Sequence, residues 1–351
     1  MQVIHAVASQ FVAQQDIIDI SVLGNGLIND TYLVRCSSHT WVLQRLNRQV
    51  FPQPQLILAN LQQLSRHLSN KPKSDVKLCL PALLPTLQQQ SCYIDSQQEC
   101  WRALSYIPNS FSKERLSSLA DAEQIGWGLG QFHRLCSDLA VDNLSDTLPG
   151  FHITPEYYAQ YQVALEGAIA VEKDAEYHYC CQLIAAQAEH LSILEAAKQC
   201  GELKTRIMHG DPKVNNFLFA QDTQQVISLI DLDTVKPGLI HYDLGDCLRS
   251  SCHNEQTHHF ELEIGAVILQ SYLQQVREFM TAADYEYLYP CMQLIPFELG
   301  LRFFTDYLQG NRYFKVSSPK QNLERAVSQF QLFQSIQQQR SQIEALIKTL
   351  S

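Results

Sequence analysis

Met208-His209-Gly210-Asp211-Pro212-Lys213-Val214-Asn215-Asn216-Phe217-Leu218-Phe219, followed after 220–225 by Val226-Ile227-Ser228-Leu229-Ile230-Asp231-Leu232-Asp233, is a β-rich island in a half of the chain that otherwise has helical patterning. Two short apolar runs flank a polar loop, which is the pattern of a hairpin. A turn about Thr223 and Gln224 pairs 218 with 229 and carries the ladder outward to 216 opposite 231. That register predicts Asn216 against Asp231 at the open end, an amide oxygen and a carboxylate within reach of one metal ion. Asp211 comes five residues before Asn216, in a loop that Gly210 and Pro212 turn sharply, so a third oxygen-bearing side chain is expected on the same spot.

Hard oxygen ligands suit Mg²⁺, which takes one or two carboxylates and keeps phosphate oxygens and water in the rest of its shell. A further Asp that does not ligate can orient a hydroxyl and accept its proton. The residue types and their spacing therefore fit metal-assisted phosphoryl transfer. Any one of them alone reads more readily as a turn or a strand end.

The rest of the chain sets limits on that chemistry. Its 351 residues suit about two domains, and a composition 46% hydrophobic and 18% charged excludes disorder as the main state. A formal charge of -10 with no Lys/Arg-rich block argues against a nucleic-acid partner. No apolar run approaches the roughly 18 residues needed to cross a bilayer, and the amino terminus lacks a basic segment followed by an apolar one, so a cytoplasmic protein is expected. The 11 cysteines are scattered without a C-x-x-C pair, which suits reduced thiols rather than a disulfide framework or a zinc cage. His253, His258 and His259 lack zinc-ligand spacing and partner cysteines. No G-x-S-x-G elbow is present, which speaks against an acyl-transfer hydrolase.

Before residue 107 the pattern is mainly strands. The runs 17–23, 31–35 and 41–46 read as a small meander, a helix follows on Leu58, Leu61, Leu64 and Leu68, and further strands are expected at 78–84, 91–94 and 101–107. Beyond Pro108-Asn109 the periodicity is helical, over 122–139, 155–172, 177–199, 261–278, 285–308 and 323–346. The expectation is a β-rich lobe over 1–107 and a helical lobe over 108–351.

His209-Gly210-Asp211, Asn216 and Ile230-Asp231-Leu232-Asp233, in that order, resemble the catalytic and metal loops of the aminoglycoside phosphotransferase and choline kinase superfamily. Gly26-Leu27-Ile28-Asn29-Asp30-Thr31-Tyr32, Val42-Leu43-Gln44-Arg45-Leu46-Asn47, Asp233-Thr234-Val235-Lys236-Pro237-Gly238, Tyr242-Asp243-Leu244-Gly245-Asp246 and Leu301-Arg302-Phe303-Phe304-Thr305-Asp306 look closer still to the bacterial N-acetylhexosamine 1-kinases. The resemblance runs over about residues 20 to 336. It implies an α+β, protein-kinase-like two-lobed fold and an ATP- and Mg²⁺-dependent kinase acting on the anomeric hydroxyl of N-acetylglucosamine or N-acetylgalactosamine. A kinase for another alcohol, of the aminoglycoside, choline or homoserine type, is the alternative within the class; a nucleotide-binding regulator without turnover is the alternative outside it.

Carried over by position, the resemblance makes Asp211 the catalytic base, Asn216 and Asp231 the Mg²⁺ ligands, and Asp233 a further carboxylate nearby or on a second metal. Gly24, Asn25 and Gly26 look like the turn covering the phosphates, without the full G-x-G-x-x-G, since position 29 is Asn. The third strand offers Gln44 and Arg45 where protein kinases have a Lys. Strand alternation lets one of them face the nucleotide, and Arg45 is preferred because it could grip phosphate bidentately. The helix about 55–68 contains no acid to pair with such a cation. Adenine is expected against Ala103 to Tyr106, with Tyr106 and Ile107 as core residues the alternative. For the acceptor the resemblance points to Arg302 and Asp306, one turn apart on one helix face, with an intrahelical ion pair as the alternative; Asn29 and Asp30, just past the phosphate turn, are expected either to meet sugar hydroxyls or simply to form a hairpin turn. Tyr313 and Phe314 could offer an apolar sugar face or pack a loop. Asp243, Gly245, Asp246 and Arg249 read as support behind the site, and His209 as a fixer of the catalytic loop.

Overall fold

The computed structural model describes residues 2–24, 28–167 and 171–351. Its strands are β1 (Ile17–Val22), β2 (Asp30–Cys36), β3 (Thr40–Leu46), β4 (Leu83–Leu84), β5 (Tyr93–Ile94), β6 (Cys100–Ser105), β7 (Ser110–Ser112), β8 (Arg206–Met208), β9 (Phe217–Ala220), β10 (Val226–Leu229) and β11 (Lys236–Gly238). Its helices are α1 (Gln2–Ala8), α2 (Pro54–Ser69), α3 (Leu119–Cys136), α4 (Thr154–Glu166), α5 (Ala175–Gln187), α6 (Ile193–Gln199), α7 (Ile240–Cys252), α8 (Leu262–Val276), α9 (Ala282–Glu286), α10 (Leu288–Leu308), α11 (Gln321–Gln338) and α12 (Arg340–Leu350). They fall into two compact units. The first comprises Met1–Ser112, Asp138–Pro149 and Asn216–Pro237, the second Lys113–Ser137, Gly150–Asn215 and Gly238–Ser351.

In the first unit β1, β2 and β3 form the expected antiparallel meander, extended in the order β1-β2-β3-β6-β4, with β5 also paired to β6. Alternation gives the sheet two different faces. Trp41, Leu43, Trp101 and Ala103 pack with Ile20, Val34 and the α1 residues Val7 and Ala8. On the other face Leu46 and Cys100 pack on Leu58 of α2. Gln44 and Arg102, paired in register across β3 and β6, share the parity of that second face. The apolar run 78–84 shrinks to the two residues of β4, because Pro81 and Pro85 cannot donate to a ladder.

The second sheet of this unit runs β10-β9-β7. The hairpin is there, but its register differs from the one expected. Leu229 pairs with Phe217 and Ser228 with Leu218, with an irregularity between Val226 and Ser228. The loop closes one residue early, where Ala220 N donates to the Gln225 carbonyl at 2.8 Å and Gln224 takes a left-handed φ of 58°. Asn216 therefore lies opposite Ile230, whose N–H donates to its carbonyl at 2.9 Å, and not opposite Asp231. The slip comes from an early turn and a bulge, neither of which apolar alternation encodes.

The second unit is built on α10, which packs against α4, α7 and α11. Phe297 of α10 meets Phe330 and Phe333 of α11, both at 5.4 Å between ring centroids. Helix α3 lies so close to α8 that a Cβ at Gly126 would stand 2.3 Å from the Ile268 carbonyl oxygen. Two of the long helices expected are broken. The stretch 177–199 divides into α5 and α6, and 323–346 divides at Gln339, where ψ is 8° and the side-chain amide donates to the Phe260 carbonyl at 3.0 Å. Among the described residues no helix is long and apolar enough to cross a membrane, and all eleven cysteines are free.

Candidate active site

Strand β8 leads into His209-Gly210-Asp211, whose three backbone N–H groups are all held by side chains. The buried Asp243 of α7 accepts from His209 N (2.6 Å) and His133 Nε2 (2.7 Å) with one oxygen, and from Gly210 N (2.7 Å) with the other. Burial pushes this carboxyl up. The His133 hydrogen bond and charge, with the His209 field and backbone N–H, more than offset that and hold it below the ordinary carboxylate range. Gly210 has φ of 91°, open to glycine at little cost. His209 fixes the loop as expected, but as an acceptor: the Asp211 N–H donates to His209 Nδ1 at 3.3 Å. Asp211 is partly exposed and takes the Lys213 ammonium on Oδ2 at 2.7 Å.

Helix α10 carries Glu298, Arg302 and Asp306 at successive turns of one face. Asp306 does not pair with Arg302. It accepts the backbone N–H groups of Arg312, Tyr313 and Phe314 at 2.8, 2.8 and 2.9 Å and the Asn322 amide at 2.8 Å, so its oxygens hold the loop after α10. Glu298 is taken by His152 at 2.9 Å and Thr154 at 2.7 Å. Arg302, between these two acids, meets ring faces instead. Its guanidinium lies 5.3 Å from Phe151, 4.9 Å from Tyr157, 6.0 Å from Tyr313 and 5.6 Å from Phe314. Thus Tyr313 and Phe314 do come to Arg302, positioned there by Asp306. Beside the loop lies a cavity of about 860 Å³ whose lining includes Lys213, Asn215, Arg115, Arg249 and Arg325 against Glu114, Glu255, Glu261 and Glu324. Arg249 pairs with Asp246 at 2.8 Å.

In the first unit Asn216 is buried, and Asp231 is exposed with φ of 62° and ψ of 52°. A non-glycine residue held left-handed costs on the order of 1 kcal/mol, and such outliers cluster at functional sites. Asp233 is buried at the centre of a polar knot: Arg102 Nη2 stands 2.5 Å from Oδ1, the Asn29 amide donates to Oδ2 at 2.7 Å, and Thr147 holds its carbonyl at 2.7 Å. Asn29, expected at the sugar, is thereby turned into the unit's interior, where its own oxygen also accepts Asn47 N at 3.0 Å. Arg45 sits on the exposed side with Asp30 and, at 3.8 Å, Glu99, so Asp30 too is engaged there. It is Gln44 that faces inward, accepting Arg102 Nε and Nη2 at 3.0 and 2.7 Å. The inward cation of this sheet is Arg102, which the sequence reading passed over. A lone Arg inside the apolar strand Cys100–Ser105 was its signal.

Of the remaining positions, Gly24 has φ of 69° and no atom within 4 Å of an added Cβ, while Asn25 and Gly26 lie outside the described residues. Ala103 is buried in the sheet core and Tyr106 is half-buried just beyond β6.

The profile of the phosphotransferase enzyme family matches residues 19–280. A microcompartment-associated aminopropanol kinase superposes with a TM-score of 0.68 at 16% identity, covering 98% of each chain. An aminoglycoside phosphotransferase from Alicyclobacillus acidocaldarius gives 0.63 at 18% identity, over 97% of this chain and 96% of that one. A choline kinase from Streptococcus pneumoniae gives 0.55 at 14% identity, over 95% and 98%. With an antiparallel sheet followed by a helical region, an α+β fold shared with these structures, the chain belongs to the phosphotransferase enzyme family.

Proposed function

We propose that the protein is an ATP- and Mg²⁺-dependent kinase for the anomeric hydroxyl of an N-acetylhexosamine, N-acetylglucosamine or N-acetylgalactosamine, working in the cytoplasm. In this reading residues 1–107 form the nucleotide-covering lobe and 108–351 carry the catalytic loop and the acceptor site. Asp211 takes the hydroxyl proton as the acceptor oxygen bonds to the γ-phosphorus, the bond from that phosphorus to the β-bridging oxygen breaks, and ADP leaves. Asp231 and Asn216 supply hard oxygen donors that fit Mg²⁺, with Asp231 exposed to receive it. When bound, the ion neutralises the β- and γ-phosphate charge. Both oxygens of Asp233 already serve Arg102 and Asn29, so its role is to keep Arg102 buried and aligned, not to ligate directly.

The observation that carries the choice of acceptor is Arg302, a half-buried cation framed by four aromatic rings with no acid in ion-pair contact among the described residues. Such a site offers ring faces to a sugar and N–H donors to its hydroxyl or amide oxygens. It would repel the ammonium of an amino alcohol. The cavity beside the loop carries as many cations as acids, so it does not select for a cationic acceptor either. Superposed relatives named for aminopropanol and choline keep an amino-alcohol acceptor as the second reading.

ADP formation across a panel of N-acetylglucosamine, N-acetylgalactosamine, glucose, choline, aminopropanol and kanamycin tests this. N-acetylhexosamines should give the highest kcat/KM, with the phosphate on C1. Preference for a cationic acceptor would overturn the sugar reading. Asp211→Asn should fold and bind nucleotide while losing turnover by about 10²- to 10⁴-fold.

A further inference from the structure

His152 is 4% exposed and sits in left-handed backbone, with φ of 65°. Both ring nitrogens are engaged: Nε2 is 2.9 Å from the Gly210 carbonyl and Nδ1 is 2.9 Å from Glu298 Oε1. Tyr242 stacks on the ring at 5.3 Å with a 13° tilt. A carbonyl oxygen can only accept, so Nε2 carries a hydrogen. The other Glu298 oxygen accepts the Thr154 hydroxyl at 2.7 Å. Between Nδ1 and Oε1 one proton must therefore lie, whether the pair is written imidazolium and carboxylate or imidazole and carboxylic acid. Without it, two lone pairs would face each other in a buried site, where unpaired polar atoms are costly.

What this ring grips is the peptide that leads into Asp211. Its oxygen is held by His152 and its N–H by His209, so the plane from which the Asp211 side chain departs is fixed at both ends. The same pair is anchored on α10 one turn before Arg302. We propose that His152 and Glu298 are positioning residues for the catalytic loop: their shared proton clamps the Gly210–Asp211 peptide to the helix that bears Arg302, and its loss loosens the loop and lowers turnover without weakening nucleotide binding. This rests on the reading of Asp211 as catalytic base.

The direction of the pH effect follows from the groups around the ring. Glu298 faces it from α10, and Asp246 and Tyr242 from α7, while Tyr157 of α4 bonds the His152 backbone; the Tyr242 hydroxyl is itself bonded to Glu195. Burial pushes His152 down, but Glu298, Asp246 and the Gly210 carbonyl together raise it above the ordinary histidine range. A raised group keeps its proton to higher pH than an ordinary histidine and loses it as pH climbs, so the clamp fails on the alkaline side.

Hydrogen exchange over residues 206–215, corrected for intrinsic rates between pH 6 and 10, reads the clamp without needing an acceptor. The wild type should lose about tenfold protection there on the alkaline side. In Glu298→Gln the amide N–H can donate to Nδ1 of neutral His152, so that alkaline loss should vanish. His152→Ala should lose protection at every pH and lower kcat about 10²-fold in parallel, with ATP affinity within twofold of wild type. Glu298→Gln keeping the wild-type alkaline loss, or His152→Ala leaving exchange within twofold, would overturn the proposal. Should His152→Ala not fold, the near-isosteric Glu298→Gln decides alone. Full turnover in Asp211→Asn would instead remove the catalytic reading, leaving the exchange arms interpretable.

Discussion

Arg302 and Asp243 show how a charged side chain serves different ends according to its partners. Arg302 is surrounded by rings, so its N–H donors have no competing carboxylate in contact. Arg302→Met should keep the fold, leave ATP affinity unchanged and raise the acceptor KM about tenfold or more, the equivalent of one or two lost charge-assisted hydrogen bonds; an unchanged KM would remove it from the acceptor site. Asp243, in contrast, is saturated by two backbone donors and His133. Asp243→Asn would point an amide at one of those donors and should cost about 3 kcal/mol in urea unfolding at pH 7. Because the folded carboxyl is held low, its contribution is complete above the unfolded value near 4 and fades as pH falls through the folded value. The gap between variant and wild type should thus narrow in acid. Spacing alone put forward Asp211, Asn216 and Asp231 as candidates; it could not reveal His152 or Arg102, since a buried His or Arg acquires meaning only from what the fold sets beside it.

At the level of elements, legibility tracked how much of an element's pattern is local. The meander β1 to β3 is spelled out by alternation, and α2 by its leucines. The hairpin slipped by one because its bulge is set by the pairing between strands. The division of 323–346 at Gln339 depends on a bond to Phe260, about 79 residues away along the chain, which no window of periodicity contains. Close helix approach was equally hidden. Gly126 and Gly130 let α3 rest on α8, and the Cβ of an alanine at 126 would meet backbone, while at 130 its nearest contact, at 2.7 Å, is the Gln275 side chain. Gly126→Ala should therefore lower stability by about 2 kcal/mol or more, and Gly130→Ala by less, because the closest approach is 2.3 Å at 126 and 2.7 Å at 130. Thermal melts of the two variants rank the effects; equal losses would mean the helices simply slide apart.

For the molecule as a whole, the cysteines offer a check that involves no ligand. Eleven thiols and no disulfide among them mean that stability comes from packing and hydrogen bonding and owes nothing to covalent staples. Seven of them, Cys36, Cys100, Cys136, Cys180, Cys247, Cys252 and Cys291, are buried, Cys92 and Cys181 are half-buried, and Cys79 and Cys200 are exposed. Reductant should leave the unfolding midpoint unchanged. Titration of the native protein with a chromogenic disulfide reagent should consume two thiols quickly and two more slowly, with the other seven appearing only on unfolding in denaturant. Rapid modification of Cys247 or Cys291 in the native protein, located by peptide mapping, would show that α7 and α10 open together, and with them the supports of both Asp243 and Arg302. Slow modification in step with global unfolding would instead place these two helices among the last elements to open, as expected of a scaffold that holds the loop at 209–211 by its backbone.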